Sequence, residues 1–403
     1  MWALQKAYYR AYQKIMKIAL YFLDWSEPEL LTGPGCILKL PAVIKERGIG
    51  NVMIITDKGL MSLHLLDGLF GELKAQGINY VVYDGVQPNP SIENIEEARE
   101  LFVANGCEAM IAFGGGSPMD CAKAACARVV RPNKTIPQMR GVMKVMRKLP
   151  PFFAVPTTAG TGSETTVAAV VSNTQTHEKY AINDPCLRPK FAVLDPELTT
   201  GLPQKITSTT GLDALTHAVE AYIGLSNVPS TIEYAEKAVD LIFKNLEVAY
   251  NDGKNIEARN QMLLASYYAG MAFTRAYVGY VHAIAHNLGG LYGIPHGLAN
   301  AVILPVVLEE FGAKIHPSLA KLADIAGIAG QTIEEKAKNF IAEIFAMNER
   351  MAIPTGFEQI EDKDIPTIVA RAMKEAHPLY PVPVIWDEAK ITSVVKRLQI
   401  KKD

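Results

Sequence analysis

Three histidines, His282, His286 and His296, fall within fifteen residues, in a stretch of apolar residues and glycines that would solvate imidazole poorly. Sixty-five residues before His282, Asp213 and His217 stand four positions apart, the spacing that stacks two side chains on one helical face. Acidic side chains are seldom buried without a partner. A carboxylate and four imidazoles in two mostly apolar segments therefore point to a shared one, a divalent metal ion or a proton in transit. Mixed nitrogen and oxygen donors suit a first-row metal. Spacing alone pairs His282 with His286, one helical turn apart.

The first half of the chain carries a second set. Glu108 to Phe113 reads as a short apolar strand running into Gly114, Gly115, Gly116, Ser117, Pro118, Met119 and Asp120, followed by a helical stretch from Cys121 to Val130. Strand, glycine turn and helix N-terminus make an anion site, because glycine lets the backbone approach phosphate and the first helical N–H groups point outward. Ser117 suits the N-cap and Pro118 the first helical position. Asn51 to Lys58 reads as a buried strand ending in an acid. Asp57 stands where dinucleotide folds hydrogen-bond a ribose 2′-hydroxyl, and a carboxylate there repels a 2′-phosphate, which favours NAD over NADP. Pro156 to Glu164, with Thr157 and Thr158, supplies hydroxyls and small residues able to wrap phosphate, ribose and nicotinamide.

Both sets resemble the signatures of the iron-containing, group III alcohol dehydrogenase family, from about Leu31 to near the C-terminus. The resemblance implies a dehydroquinate synthase-like fold and an Fe(II) ion held by Asp213, His217, His282 and His296; these ligand types also suit Zn(II). It places His286 beside the nicotinamide and substrate, handling a proton without binding metal. It assigns Gly114, Gly115, Gly116, Ser117 and Asp120 to the cofactor pyrophosphate, Thr157 and Thr158 to a second cofactor loop, and Lys179 to the nicotinamide ribose. Phe273 matches a substrate-facing aromatic. The implied activity is hydride transfer between NAD(H) and a metal-bound primary aliphatic alcohol or aldehyde, in a homodimer or larger homo-oligomer. The nearest alternative is a glycerol or polyol dehydrogenase. A dehydroquinate synthase-like lyase would need several basic residues by the metal, and Arg275 is the one basic residue near these histidines in sequence. A non-catalytic NAD-binding protein would be marked by a lost ligand, and all four are present.

Strand-like runs at Val52–Thr56, Tyr80–Tyr83, Met110–Phe113, Phe152–Val155 and Phe191–Leu194 alternate with helical stretches, which predicts an α/β dinucleotide-binding domain with a mainly parallel sheet over residues 31–202. After Leu202 long helical periods follow, at Thr207–Ala221, Tyr234–Val248, Glu257–Thr274 and Ile333–Met347. They predict an all-α metal and substrate domain over residues 203–403.

The balance of 40 basic against 42 acidic residues gives no global field for nucleic acid. Locally, eight Lys or Arg residues and no acid lie between Cys121 and Ser163, a patch that could draw in an anionic cofactor. Five cysteines without zinc-ribbon spacing suggest a reducing compartment, and the expected location is the cytoplasm. No stretch is long and apolar enough to span a bilayer. Residues 1–30 depart from the family. They begin with a basic amphipathic helix in which Lys6, Arg10, Lys14 and Lys17 stand opposite Leu4, Tyr8, Tyr12, Ile15, Ala19 and Phe22. Such a helix suits an anionic membrane surface or organelle targeting. Packing on its own domain or at a subunit contact is the expectation here.

Overall fold

The structure, a computed structural model, describes residues 2–21, 23, 25–176 and 178–401. The chain divides into two compact units, Asp24–Leu202 with Lys254–Leu263, and Met1–Leu23 with Pro203–Gly253 and Leu264–Asp403.

In the first of these, the described residues form nine strands: β1 (Glu29–Thr32), β2 (Asn51–Ile55), β3 (Asn79–Tyr83), β4 (Ala109–Gly114), β5 (Gly141–Val142), β6 (Phe152–Pro156), β7 (Ala168–Asn173), β8 (Glu178–Asn183) and β9 (Phe191–Leu194). Six pair in parallel in the order β1-β9-β6-β4-β2-β3. Successive side chains of a strand face opposite sides. Thus Val52 and Ile54 enter one core with residues of Leu40–Glu46 and Asp67–Ala75, while Met53 and Ile55 enter another with residues of Ile92–Ala104 and Gly116–Val130. Both faces are buried, which is why these strands read as continuous apolar runs. All five expected strands are present to within one residue at each end. Short, exposed β1 and the antiparallel pair β7–β8, which forms a small sheet with β5, carry polar and charged residues and gave no such run.

Helices make up the other unit. Among the described residues the α-helices, in chain order, are α1 (Trp2–Tyr21), α2 (Leu40–Glu46), α3 (Lys58–Ser62), α4 (Asp67–Ala75), α5 (Ile92–Ala104), α6 (Gly116–Val130), α7 (Gln204–Ile223), α8 (Pro229–Asn251), α9 (Ile256–Ala276), α10 (Tyr280–Tyr292), α11 (His296–Phe311), α12 (His316–Ile325), α13 (Ile333–Arg350), α14 (Ile365–Ala376) and α15 (Glu388–Arg397). The molecule is thus an α/β dinucleotide-fold unit with a mainly parallel sheet and a helical unit. Helix α7 is buried on nearly every side from Thr207 to Ile223, so a polar residue in it needs an internal partner.

Helix α1 packs on the unit to which it belongs with polar residues turned inward. Its polar side faces the protein, with Gln13 buried and Arg10 half-buried, while Leu4, Tyr8, Ile15 and Ile18 are 77%, 60%, 65% and 64% exposed. Arg10 and Gln13 meet main-chain carbonyls on the surface beneath, and those oxygens select the polar face. Phe22, expected on the apolar face, lies outside the described residues. Among the described residues no helix is long and apolar enough to cross a membrane.

Candidate active site

Asp213, His217 and Glu220 lie on one face of α7, at i, i+4 and i+7. His282 and His286 are a turn apart on α10, and His296 opens α11 after a link in which Gly293 takes a left-handed conformation (φ 67°). Gly297 must be glycine, because a Cβ there would sit 2.5 Å from the Thr209 carbonyl oxygen of α7. That close approach seats His296 beside Asp213, with 3.7 Å between Nε2 and Oδ1.

One ligand atom from each of Asp213, His217, His282 and His296 lies within 4.8 Å of the others. His286 is outside this group, although spacing paired it with His282. Its ring stacks on His296 at 5.1 Å, and its Nδ1 is 2.6 Å from Glu375 of α14. The donor set fits a divalent ion. Burial holds the His282 pKa well below its ordinary value, so this imidazole is neutral and able to ligate. Burial also pushes Asp213 up to about 7, against a hydrogen bond from Asn300, and a cation beside it would restore the carboxylate. Asn300 Nδ2 donates to Asp213 Oδ1 at 2.6 Å and lies 3.1 and 3.2 Å from Nε2 of His282 and His296.

Behind His282 lies Glu220, which accepts from the backbone N–H groups of Gly279 and Val281, both at 2.8 Å, and from His282 Nδ1 at 2.6 Å. Gly279 is required there, because a Cβ would stand 2.7 Å from Glu220 Oε1. Burial raises Glu220 to about 7 while its donors hold it down. Fixing the proton on Nδ1 turns the Nε2 lone pair toward the cluster. Glu220→Gln would set an amide NH₂ against N–H groups. The expected result is a loss of iron affinity of about 10- to 100-fold, read by competition with a chelator.

Around His286, Glu375 Oε1 accepts from Nδ1 at 2.6 Å and from the Tyr380 hydroxyl at 2.8 Å. Burial alone would raise Glu375, but the charge and hydrogen bond of His286 and the Tyr380 hydroxyl outweigh it, and the carboxyl is lowered. Phe273 of α9 stacks flat on His217 with 4.0 Å between ring centroids.

The cofactor candidates gather in the α/β unit at the carboxyl ends of β2 and β4. Strand order runs outward from β2 to β3 on one side and to β4 on the other, so these ends flank the switch point where open α/β sheets bind ligands. Asp57 follows β2, and its Oδ1 accepts from the Leu60 N–H at 2.9 Å, capping α3. Gly114 ends β4 at φ 146°, where a Cβ would meet Pro118 at 2.6 Å. Helix α6 starts at Gly116 with Gly115 as N-cap, so Ser117 does not cap it, correcting the expected start; its hydroxyl accepts the Asn89 N–H at 3.1 Å instead. A Cβ at Gly115 would lie 3.3 Å from Thr158 Oγ1, so the turn and the second loop nearly touch, and the Thr157 N–H donates to the Gly114 carbonyl at 3.1 Å. Lys179 on β8 donates to Asn89 Oδ1 at 2.7 Å. This cradle of backbone N–H groups, hydroxyls and an ammonium fits a pyrophosphate.

Asp120 directs both oxygens inward, accepting from Ser163 Oγ and Val170 N at 3.1 Å. Beside it Lys123 is fully buried and donates to Ser163 Oγ, Thr166 Oγ1 and the carbonyls of Thr166 and Ala168 at 2.8–3.0 Å; burial lowers its pKa to about 8, against Asp120 and Glu164. Lys123→Met would strand those oxygens. It is expected to cost about 1–3 kcal/mol of stability and to weaken NAD binding through the loop that it anchors, measured by thermal unfolding with and without NAD. The basic run is largely spent on its own loop. Arg128 is buried against Glu96, and Arg131 and Lys134 donate to the carbonyls of Val145 and Lys144.

Sequence reading missed Glu220, Asn300, Glu375 and Asn89. Glu220 and Asn300 continue ligand faces, at i+7 from Asp213 and i+4 from His296, and that periodicity could have found them. Glu375 and Asn89 reach their partners only through tertiary folding.

Comparison with known proteins adds two family profiles. One, described as iron-containing alcohol dehydrogenase, matches residues 28–196; the other, described as the C-terminal region of the Fe-containing alcohol dehydrogenase family, matches residues 207–398. Alcohol dehydrogenase 4 of Schizosaccharomyces pombe is 39% identical over 86% of this chain and 82% of its own length. NAD-dependent methanol dehydrogenase of Bacillus methanolicus is 32% identical over 86% of this chain and 92% of its own. The crystal structure of a 1,3-propanediol oxidoreductase superposes with a TM-score of 0.90 at 35% identity, covering 94% of this chain and all of that one.

Proposed function

Since the chain belongs to the iron-containing alcohol dehydrogenase family and is an NAD-linked oxidoreductase of alcohols and aldehydes, we propose that Asp213, His217, His282 and His296 hold its Fe(II) and that its substrates are primary aliphatic alcohols and their aldehydes. The observation that carries this reading is the convergence of three imidazoles and one carboxylate within 4.8 Å. Zn(II) suits the same ligands. In this reading residues 31–202 serve the cofactor, residues 203–403 the metal and substrate, and residues 1–30 are an extension.

When bound, the metal supplies a Lewis acid that acidifies an alcohol or polarises a carbonyl, and NAD supplies the hydride acceptor. The chain's own residues arrange the rest. Glu220 orients His282, and Asn300 orients Asp213. His286, with Nδ1 fixed on Glu375, keeps Nε2 to take the alcohol proton and to return it in the reverse direction. Phe273, flat on His217, gives the substrate an apolar wall. Gly114, Gly115, Gly116 and Ser117 receive the pyrophosphate, with Asp120 bracing the second loop. Thr157, Thr158 and Lys179 take the nicotinamide half and Asp57 the adenosine ribose.

The protein is further proposed to be a cytoplasmic homodimer or larger homo-oligomer. All five cysteines are free, which supports a reducing compartment. The substrate proposal is tested by NADH formation from a panel of primary alcohols, secondary alcohols, glycerol and diols with iron-loaded protein. The highest kcat/KM is expected for a primary monohydric alcohol; a preference for glycerol would move the protein to the polyol class.

A further inference from the structure

Residues 378–383 lie in the stretch between α14 and α15 and contain Pro378, Pro381 and Pro383, which have no N–H. Three prolines remove half of the segment's own N–H donors, so its carbonyls draw donors from elsewhere. Helix α1 provides most of them. Gln13 Nε2 donates to the carbonyls of Pro378 (3.0 Å) and Tyr380 (2.8 Å), and Arg10 donates to those of Val382 (2.8 Å) and Pro383 (3.1 Å). Arg10 also donates to Gln13 Oε1 at 2.8 Å, so the two act as one clamp, and Tyr9 stacks on His377 at 5.0 Å. The side chain of the clamped Tyr380 is the one whose hydroxyl donates to Glu375, the carboxylate that fixes His286. A continuous chain of contacts thus runs from Gln13 through Tyr380 and Glu375 to His286. Helix α1 precedes the stretches that the family profiles match.

We propose that Gln13 and Arg10 of α1 are positioning residues for proton transfer: they set the Pro378–Pro383 segment so that Tyr380 holds Glu375, and through it His286, in the reactive orientation. This rests on the reading of His286 as the proton-handling residue.

The test is a double-mutant cycle in the full-length, iron-loaded enzyme with Gln13→Met and Tyr380→Phe, both close in shape to the native residue. Each single variant is expected to lower kcat about three- to tenfold and to raise its solvent deuterium isotope effect, with little change in the KM for alcohol. The double variant should be no slower than Tyr380→Phe alone, because the first change acts through the hydroxyl that the second removes. Thermal unfolding of the same proteins reads ordinary destabilisation separately. Effects on kcat that multiply, or a normal kcat in Tyr380→Phe beside a slow His286→Ala, would overturn the proposal alone. A normal kcat in His286→Ala would remove the reading beneath it and the proposal together.

Discussion

Replacing His282 by alanine is expected to bring the iron content of the purified protein down to background and to slow alcohol oxidation by about 10³-fold or more. A bound metal supplies several kcal/mol of stabilisation to developing charge, and each 1.36 kcal/mol is a factor of ten in rate. Among the four candidate ligands His282 is buried and tied to Glu220 at 2.6 Å. Its removal also leaves Glu220 buried without the imidazole, a loss expected to cost about 1–3 kcal/mol of stability and visible as a lowered Tm. NAD affinity, measured by fluorescence titration, should be retained, because none of the residues assigned to the cofactor is touched. Iron bound at wild-type level in this variant would exclude His282 as a ligand.

His286→Ala is expected to do the opposite with the metal. Iron content, measured by elemental analysis, should match the unmodified protein while kcat falls about 10²-fold, the lower end of what a positioned acid or base contributes. The two histidines share a helical face, and spacing alone treats them alike. What separates them is the company of each ring. His282 stands between Glu220 and the cluster, whereas Nδ1 of His286 is taken by Glu375 and its ring lies against His296. Loss of iron together with activity in His286→Ala would return the residue to the ligand set.

The Asp and His cluster stood out in the sequence because burying such residues among apolar neighbours leaves a chemical demand that no ordinary core satisfies, whereas the separation of His286 from the proposed ligands came from the family resemblance and not from spacing. The sheet was visible for a related reason: strands buried on both faces read as unbroken apolar runs, and Val52 to Ile55 is one. Three features were out of reach. The start of α6 was displaced because Ser117 and Pro118 have cap-forming types, yet three successive glycines let the chain turn into the helix before either. The inward turn of polar residues of α1 could not be read from its pattern, because their partners are the carbonyls of a proline-rich segment about 370 residues away, which no periodicity encodes. Glu375 lies in an amphipathic helix that looks ordinary until α14 and α10 meet.

The central claim, that this cluster holds the iron on which NAD-linked alcohol oxidation depends, is tested most directly by titrating Fe(II), without oxygen, into metal-stripped protein and following NADH formation from a primary alcohol. Turnover should rise from background in proportion to added iron, level off at one ion per chain, and stay at background throughout in His282→Ala. Undiminished turnover by the stripped protein, or an equal response to iron in the variant, would contradict the account.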